Sequence, residues 1–398
     1  MHTDGLRADA ERLAGTVVAV RRDIHAHPEM GCALPRTQRA VLAALDGLGM
    51  EITTGDGLSS VVAVLRGRDP GRTVLLRADM DALPVHEETG LGFASRTPGV
   101  MHACGHDGHT SMLAGAAALL ASRRDQLSGQ VIFMFQPAEE TAEGAPLMLA
   151  EGVLAAAGPP AEAAFALHLT ANLPSGTFRL QPGPTAAACD EFVITVTGRG
   201  GHGGRPQAAL DPIPAAAEIV QALYTSMNRR VSPFDTAVLS VCSIQAGTSS
   251  TIIPDQAVLR GTVRTHDPEV RDALVAATAR IAGGIAAAHE VAARVDWGGV
   301  TPRLFNAPAV VEHARGAITG LYGPGGLTDQ RYVSMGGEDF AYIAQEIPAA
   351  MANLGACPPG ADPADAPGNH SARMIIDEAA LVRGAAVYAG VALAYLGR

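Results

Sequence analysis

The stretch Met101–Thr110, MHACGHDGHT, brings Cys104, His106, His102, Asp107 and His109 together, all side chains able to bind a transition metal. Cys104 and His106 flank a single glycine. That spacing is too tight for the Cys-x-x-Cys or spaced histidine pairs of a structural zinc module. A metal here must take its other ligands from far along the chain, which is how an open catalytic site is built. Glu140, His168 and His370 complete a candidate set with Cys104 and His106. Mixed S, N and O donors in this number suit two metals sharing a ligand, zinc or manganese, with cobalt or nickel as further candidates, better than calcium or magnesium. Taken singly, His168 and His370 are ordinary loop histidines and Cys104 a small buried hydrophobe. Their joint placement is what favours a metal.

The adjacent Glu139 and Glu140 can point to different places, so that one carboxylate binds metal while the other takes a proton from water. A solvated acidic helix start fits the same pair, and spacing does not decide between them. His202 lies in the glycine-rich run Gly198–Pro206, GRGGHGGRP. Glycines there allow positive φ and close approach of a ligand, and the imidazole could hydrogen-bond a developing oxyanion; a plain turn fits equally. Arg264, at a strand end, could hold a substrate carboxylate or pair with Asp267. Cys32, Cys189, Cys242 and Cys357 have no ligand-like neighbours and read as packing residues. With Cys104 they are odd in number and scattered, which argues against a disulfide framework. The pairs Gly200-Gly201 and Gly336-Gly337 lack the Lys-Ser/Thr of a phosphate loop.

The elements that must position these residues follow from periodicity. Helical spacing covers Asp9–Asp23 and Thr37–Leu48, and short apolar β-branched runs at Ser60–Leu65, Thr73–Arg77, Gln130–Phe135 and Ala163–Leu169 read as buried strands. An alanine-rich helix is expected over Ser111–Ser122. Asp79, Cys104/His106, Glu139/Glu140 and His168 then sit at strand ends or in the following loops, the edge where open α/β sheets bind ligands. From Asp190 the order strand, helix, strand, strand, helix, strand, with helices at Pro212–Met227 and Glu269–His289, is that of a ferredoxin-like unit. The expected architecture is α/β: a catalytic domain of 1–187 and 299–398, with a central mostly parallel sheet flanked by helices, and an inserted α+β domain of 188–298. Helices at Val310–Leu321 and Glu378–Leu396, with loops at Met335–Phe340 and Gly368–Ser371 between them, return to the first domain.

A chain of 398 residues that is 47% hydrophobic can bury two cores. Its net charge of -11 argues against nucleic acid or anionic membrane as partner. The first residues lack the pattern of a signal peptide. The most apolar windows, Met112–Ala121 and Ala385–Leu396, fall short of the ~20 residues that span a bilayer. A cytoplasmic protein is expected.

The segments RRDIHAHPEMG, LLRADMDALPVHEETG, MHACGHDGHTSMLAGAA, FQPAEE, GRGGHGGRP, SMGGEDFAYI and PGNHS are spread along nearly the whole chain, from Arg21 to Ser371. In combination they resemble the metal-dependent amidohydrolases that include hippurate hydrolases, bacterial N-acyl-amino acid aminoacylases and plant auxin-conjugate hydrolases, relatives of carboxypeptidase G. The resemblance implies a two-metal catalytic domain and a smaller lid domain that makes dimer contacts, giving a homodimer or higher oligomer. It implies Cys104, His106, Glu140, His168 and His370 as metal ligands, Glu139 as general base, Asp79 as a carboxylate orienting a ligand, and His202 as the lid histidine that polarises the scissile carbonyl. His102, Asp107 and His109 then support the site or start the helix, with Asp107 orienting a ligand histidine or capping. Thr251 stands where the family often has Asn, and Cys32-Ala33-Leu34-Pro35 where it often has acidic residues. The first departure touches substrate contacts, for which Arg264, Thr251 and Gly337 are the candidates. The implied reaction is hydrolysis of the amide of a small-molecule N-acyl amino acid; a dipeptidase or carboxypeptidase-like peptidase and a silent metal-binding protein are the alternatives.

Overall fold

Parallel neighbours in a sheet need crossover connections, usually helical. In the computed structural model, which describes residues 5–328 and 333–397, the main sheet has seven strands in the order Glu51–Thr54, Val61–Arg66, Ser128–Gln136, Asp69–Asp79, Ala163–Thr170, Ala349–Gly355, Phe178–Arg179. The four from Ser128–Gln136 to Ala349–Gly355 run parallel. Antiparallel strands close both edges. Parallel strands are covered on both faces and so read as continuous apolar runs, as Val131–Phe135 does with every residue buried. Helices His106–Ala121, Pro308–Tyr322 and Ala379–Leu396 pack on these strands, as do the short helices Gly144–Ala150 and Phe340–Glu346.

Several elements differ from expectation for local reasons. The first helix is two, Leu6–Arg12 and Ala14–His25. The helix expected at Ser111 starts at His106, because Gly105 takes φ 92° and turns the chain into it. Its first turn is wholly buried, so no amphipathic period announces it. The strand Ala349–Gly355, AAMANLG, carries no β-branched residue, yet it lies between two strands that impose its conformation. Helix Ala379–Leu396 is long and apolar enough to pass for a membrane span, but it is mostly buried and serves as a core helix.

Two compact units divide the chain: Met1–Gly183, Phe305–Tyr332 and Asp339–Arg398 form the first, and Pro184–Leu304 with Val333–Glu338 the second. Val333–Glu338, expected with the first domain, belongs to the second because backbone bonds from Ser334 to Thr185 and from Ala187 to Gly336 hold it there. In the second unit four antiparallel strands stand in the order Ala237–Ala246, Gln256–Thr265, Ala188–Thr197, Ala292–Thr301. Helices Pro212–Arg230 and Pro268–Ala288 pack on them over Phe192, Ile194, Ile219, Leu223, Leu259 and Leu274. Both helices begin with proline behind a capping aspartate, Asp211 or Asp267.

Candidate metal centre

Cys104, His106, Glu140, His168 and His370 are brought together at the carboxyl ends of the parallel strands. Donor atoms of Cys104, His106 and His168 lie within 4.8 Å of one another, as do those of Cys104, Glu140 and His370, and those of His106, Glu139 and Glu140. His106 Nε2 stands 3.8 Å from Glu140 Oε1, 3.9 Å from Glu139 Oε2 and 3.8 Å from Asp79 Oδ2. Cys104 Sγ is 3.5 Å from His168 Nε2, and His370 Nε2 is 3.7 Å from Glu140 Oε1. His370 arrives from a late loop, held at φ 69° by its N–H donating to the Ala103 carbonyl at 2.7 Å. Beside it Asn369 donates to the carbonyls of Cys104 and Leu169 and accepts from Ala171 N–H.

These residues fit divalent cations. His106 Nδ1 lies 2.9 Å from the Asp81 carbonyl and His168 Nδ1 2.8 Å from the Leu169 carbonyl. A carbonyl only accepts, so each Nδ1 carries a proton and each Nε2 is the nitrogen that faces the site. Among the described residues, His106 Nε2 and Glu140 Oε1 are buried and find no hydrogen-bond partner, which is costly unless another group satisfies them. On the protein's own charges, burial pushes the Cys104 thiol up to about 12 and His168 down to about 3, and burial raises Glu140 above the usual carboxylate range. Burial would lower His106 as well, but Asp79 and Cys104 outweigh it and hold its pKa well above the ordinary value. Cys104, Glu140 and His106 thus retain protons that a cation would displace, whereas His168 is already neutral.

Support comes from beneath. Asp79 accepts from His109 Nδ1 and Arg77 Nη1, both at 2.6 Å, and His109 Nε2 accepts from Leu169 N–H at 2.8 Å. Burial alone would raise Asp79, but His106, Arg77 and His109 hold it well below the carboxylate range. Asp81, two residues on, accepts from the N–H groups of Glu139 and Glu140 at 3.0 and 3.1 Å. Asp107 neither caps the helix nor meets a ligand histidine; its carboxylate accepts from Arg21 and His25, each at 2.8 Å. Asp81, His109 and Asn369 therefore shape the site; a supporting role is expected of His109 from the sequence, whereas only their presence in the motifs points to Asp81 and Asn369.

The remaining candidates lie in the second unit. His202 is exposed on a two-residue strand paired with Ile252–Ile253, and its Nδ1 accepts from Gly204 N–H at 2.9 Å. Thr251 is its neighbour, accepting from Gly203 N–H at 2.8 Å through its carbonyl. Arg264 does not pair with Asp267, which is occupied in capping the following helix. It donates to the Met335 carbonyl at 2.9 Å and touches Cys189 Sγ at 3.3 Å, where Gly337 also approaches. Cys242, expected as a packing residue, is exposed on an outer strand.

Residues 75–394 match the model of Peptidase family M20/M25/M40. An N-acetylcysteine deacetylase of Bacillus subtilis (strain 168) is 41% identical over 333 residues, 83% of this chain and 86% of that protein. An N-acyl-L-amino acid amidohydrolase of Geobacillus stearothermophilus is 41% identical over 274 residues, 69% and 73% of the two chains. Among solved structures, a Bacillus subtilis protein described as a dinuclear metal binding peptidase from the M20 family aligns with TM-score 0.83 at 35% identity, over 97% of this chain and 99% of that one. The chain belongs to Peptidase family M20/M25/M40.

Proposed function

We infer that this chain is a metal-dependent amidohydrolase that cleaves the amide bond of N-acyl amino acids. The observation that carries this is the convergence of His106 Nε2, His168 Nε2, Cys104 Sγ and the Glu140 carboxylate beside a second carboxylate, Glu139. Cys104, His106, Glu140, His168 and His370 would hold two divalent cations, zinc or manganese. Bound there, the cations supply Lewis acidity, polarising the scissile carbonyl and making water a stronger acid.

The chain's own part in the reaction is proton transfer and orientation. Glu139 accepts a proton from the attacking water as its oxygen bonds to the acyl carbon. The C–N bond then breaks, and Glu139 returns that proton to the leaving amine nitrogen; the second proton of the water passes from the new carboxyl group to the amine, giving a carboxylate and an amino acid with its ammonium group. Asp81 fixes the backbone from which both glutamates project, and Asp79 holds His109 against the strand that bears His168. His202 is assigned to the carbonyl oxygen, and Arg264, Thr251 and Gly337 to the substrate. The related deacetylase and amidohydrolase, by their names, support an acylated amino acid as the substrate class.

The reading further includes a cytoplasmic homodimer or higher oligomer assembled through the inserted domain. The outer strand Ala237–Ala246, with Val238 and Ile244 exposed, supports that assembly. A peptidase acting on small free peptides is the second reading, favoured by the family's own name. Turnover of acetyl-, benzoyl- and longer acyl-amino acids compared with unblocked dipeptides separates the two. Cleavage of dipeptides alone would replace the first reading with the second, and no turnover of any amide with cations bound would refute both.

A further inference from the structure

The loop that carries Glu139 and Glu140 is not relaxed. Ala138 and Ala142 both take positive φ, 57° and 56°, a region disfavoured for any residue with a Cβ. At its end Gly144 passes so close that a Cβ there would stand 1.7 Å from the Pro137 carbonyl oxygen. Such a backbone persists only where its surroundings over-determine it.

Asp81 secures the middle of the loop, and Asp339 secures both ends. The Asp339 carboxylate accepts from Gln136 Nε2 at 2.8 and 2.7 Å, immediately before Pro137, and from Ala145 N–H at 3.0 Å, immediately after Gly144. Arg77 Nη2 donates to the same carboxylate at 2.7 Å, and Arg77 Nε donates to Gln136 Oε1 at 2.9 Å. Arg77, Gln136 and Asp339 are almost wholly buried. Carboxylate oxygens of Asp339 and Glu139 come within 4.8 Å of one another.

We propose that Asp339 is a positioning residue for the hydrolysis: through Gln136 and Ala145 it clamps both ends of the Pro137–Gly144 loop and so fixes where Glu139 and Glu140 point. The proposal rests on the amide-hydrolysis reading above. Gln136 Nε2, Arg77 Nη2 and Ala145 N–H are donors, so the clamp needs a group that only accepts.

Asp339→Asn turns one acceptor into a donor facing those donors. In the cation-loaded full chain it is expected to lower kcat at least thirtyfold with KM within threefold, and to speed amide hydrogen exchange over residues 137–145 at least tenfold. Adding Gln136→Glu repairs the contact with residue 136: the new carboxylate accepts from the amide nitrogen at 339 and from Arg77 Nε, while the amide oxygen at 339 keeps the Ala145 N–H. The double variant is expected to recover at least tenfold in kcat together with loop protection. A merely structural aspartate would lower stability with no split between kcat and KM, and would gain nothing from the second change. If Asp339→Asn does not fold, Gln136→Met removes the upstream clamp alone and is expected to lower kcat about tenfold and to loosen exchange over the same residues. Wild-type kcat and wild-type protection in either folded variant would overturn the proposal. A wild-type chain inactive on every acyl amino acid would refute the amide reading instead, and exchange over 137–145 would still decide whether Asp339 holds the loop.

Discussion

Asp81 accepts a hydrogen bond from the backbone N–H of Glu139 at 3.0 Å, across 58 residues of sequence, and its second oxygen takes the N–H of Glu140 at 3.1 Å. One buried carboxylate thus aligns two successive peptide units that carry the proposed base and a proposed ligand. Asp81→Ala leaves both amides without this partner. The expected cost is about 1–3 kcal/mol of stability for the orphaned donors, with kcat falling about tenfold or more. Denaturant unfolding and steady-state kinetics on one preparation check both, and kcat equal to wild type would remove Asp81 from the alignment of Glu139.

Glu139→Gln keeps the size of the side chain and the N–H held by Asp81, but it cannot take a proton. Turnover should fall by about 10²–10⁴-fold, the usual contribution of a general base. Metal content measured by elemental analysis should be unchanged, because the ligand set is intact. Full activity in this variant would place the base elsewhere.

Chelation should abolish turnover and lower the thermal midpoint, since a ligand that binds only the folded chain stabilises it in proportion to its occupancy. Restoring zinc or manganese should bring back both. The same midpoint with and without chelator would contradict a site built from Cys104, His106, Glu140, His168 and His370.

Glu87 and His25 define a pH window for stability. Burial would raise Glu87, but hydrogen bonds from His25, Thr89 and the Ser95 N–H hold it at about 2. Because the folded value lies below the unfolded one, its contribution is complete above about pH 4.5 and is lost as pH falls towards 2. Burial would lower His25, but Asp107 and Glu87 raise it to about 9. That contribution is complete below about pH 6.5 and is lost as pH climbs through 9. Stability should therefore be flat between these limits. Glu87→Gln should flatten the acid limb by about 1–3 kcal/mol, and equal acid slopes in the two proteins would show that Glu87 is not responsible.

Gly144→Ala tests the closure of the loop. A methyl group 1.7 Å from the Pro137 carbonyl cannot be accommodated without moving backbone. A loss of about 2–4 kcal/mol is expected from strain of this kind, read as a lower denaturant midpoint at an unchanged slope.

The sequence makes the strand ends legible because carboxylates, cysteine and histidine follow apolar runs at four places, and the chemistry of those residue types is specific. It does not distinguish Asp79 from Asp81. Both sit in RADMD, and only the loop that folds over them reveals that one carries His109 and the other the glutamate backbone. Asp339 was visible in SMGGEDF, but a bond between residues 203 apart cannot be read from either end. The strand Ala349–Gly355 escaped for another reason: its conformation is imposed by its neighbours and not by its own side chains.

Tyr388 donates its hydroxyl to the Arg77 carbonyl at 2.7 Å and accepts from Leu167 N–H at 2.9 Å. It thereby joins the strands that end at Asp79 and carry His168, from a helix more than two hundred residues downstream. On the ribosome the chain grows from its amino end, so Cys104, His106, Glu140 and His168 emerge long before His370 and Tyr388. The nascent chain must hold a thiol and a cluster of ionisable groups beside an unfinished core while the whole second unit is synthesised. The proposed ligand set is thus complete only once His370 has been made, and the joint between the two strands only once Tyr388 has.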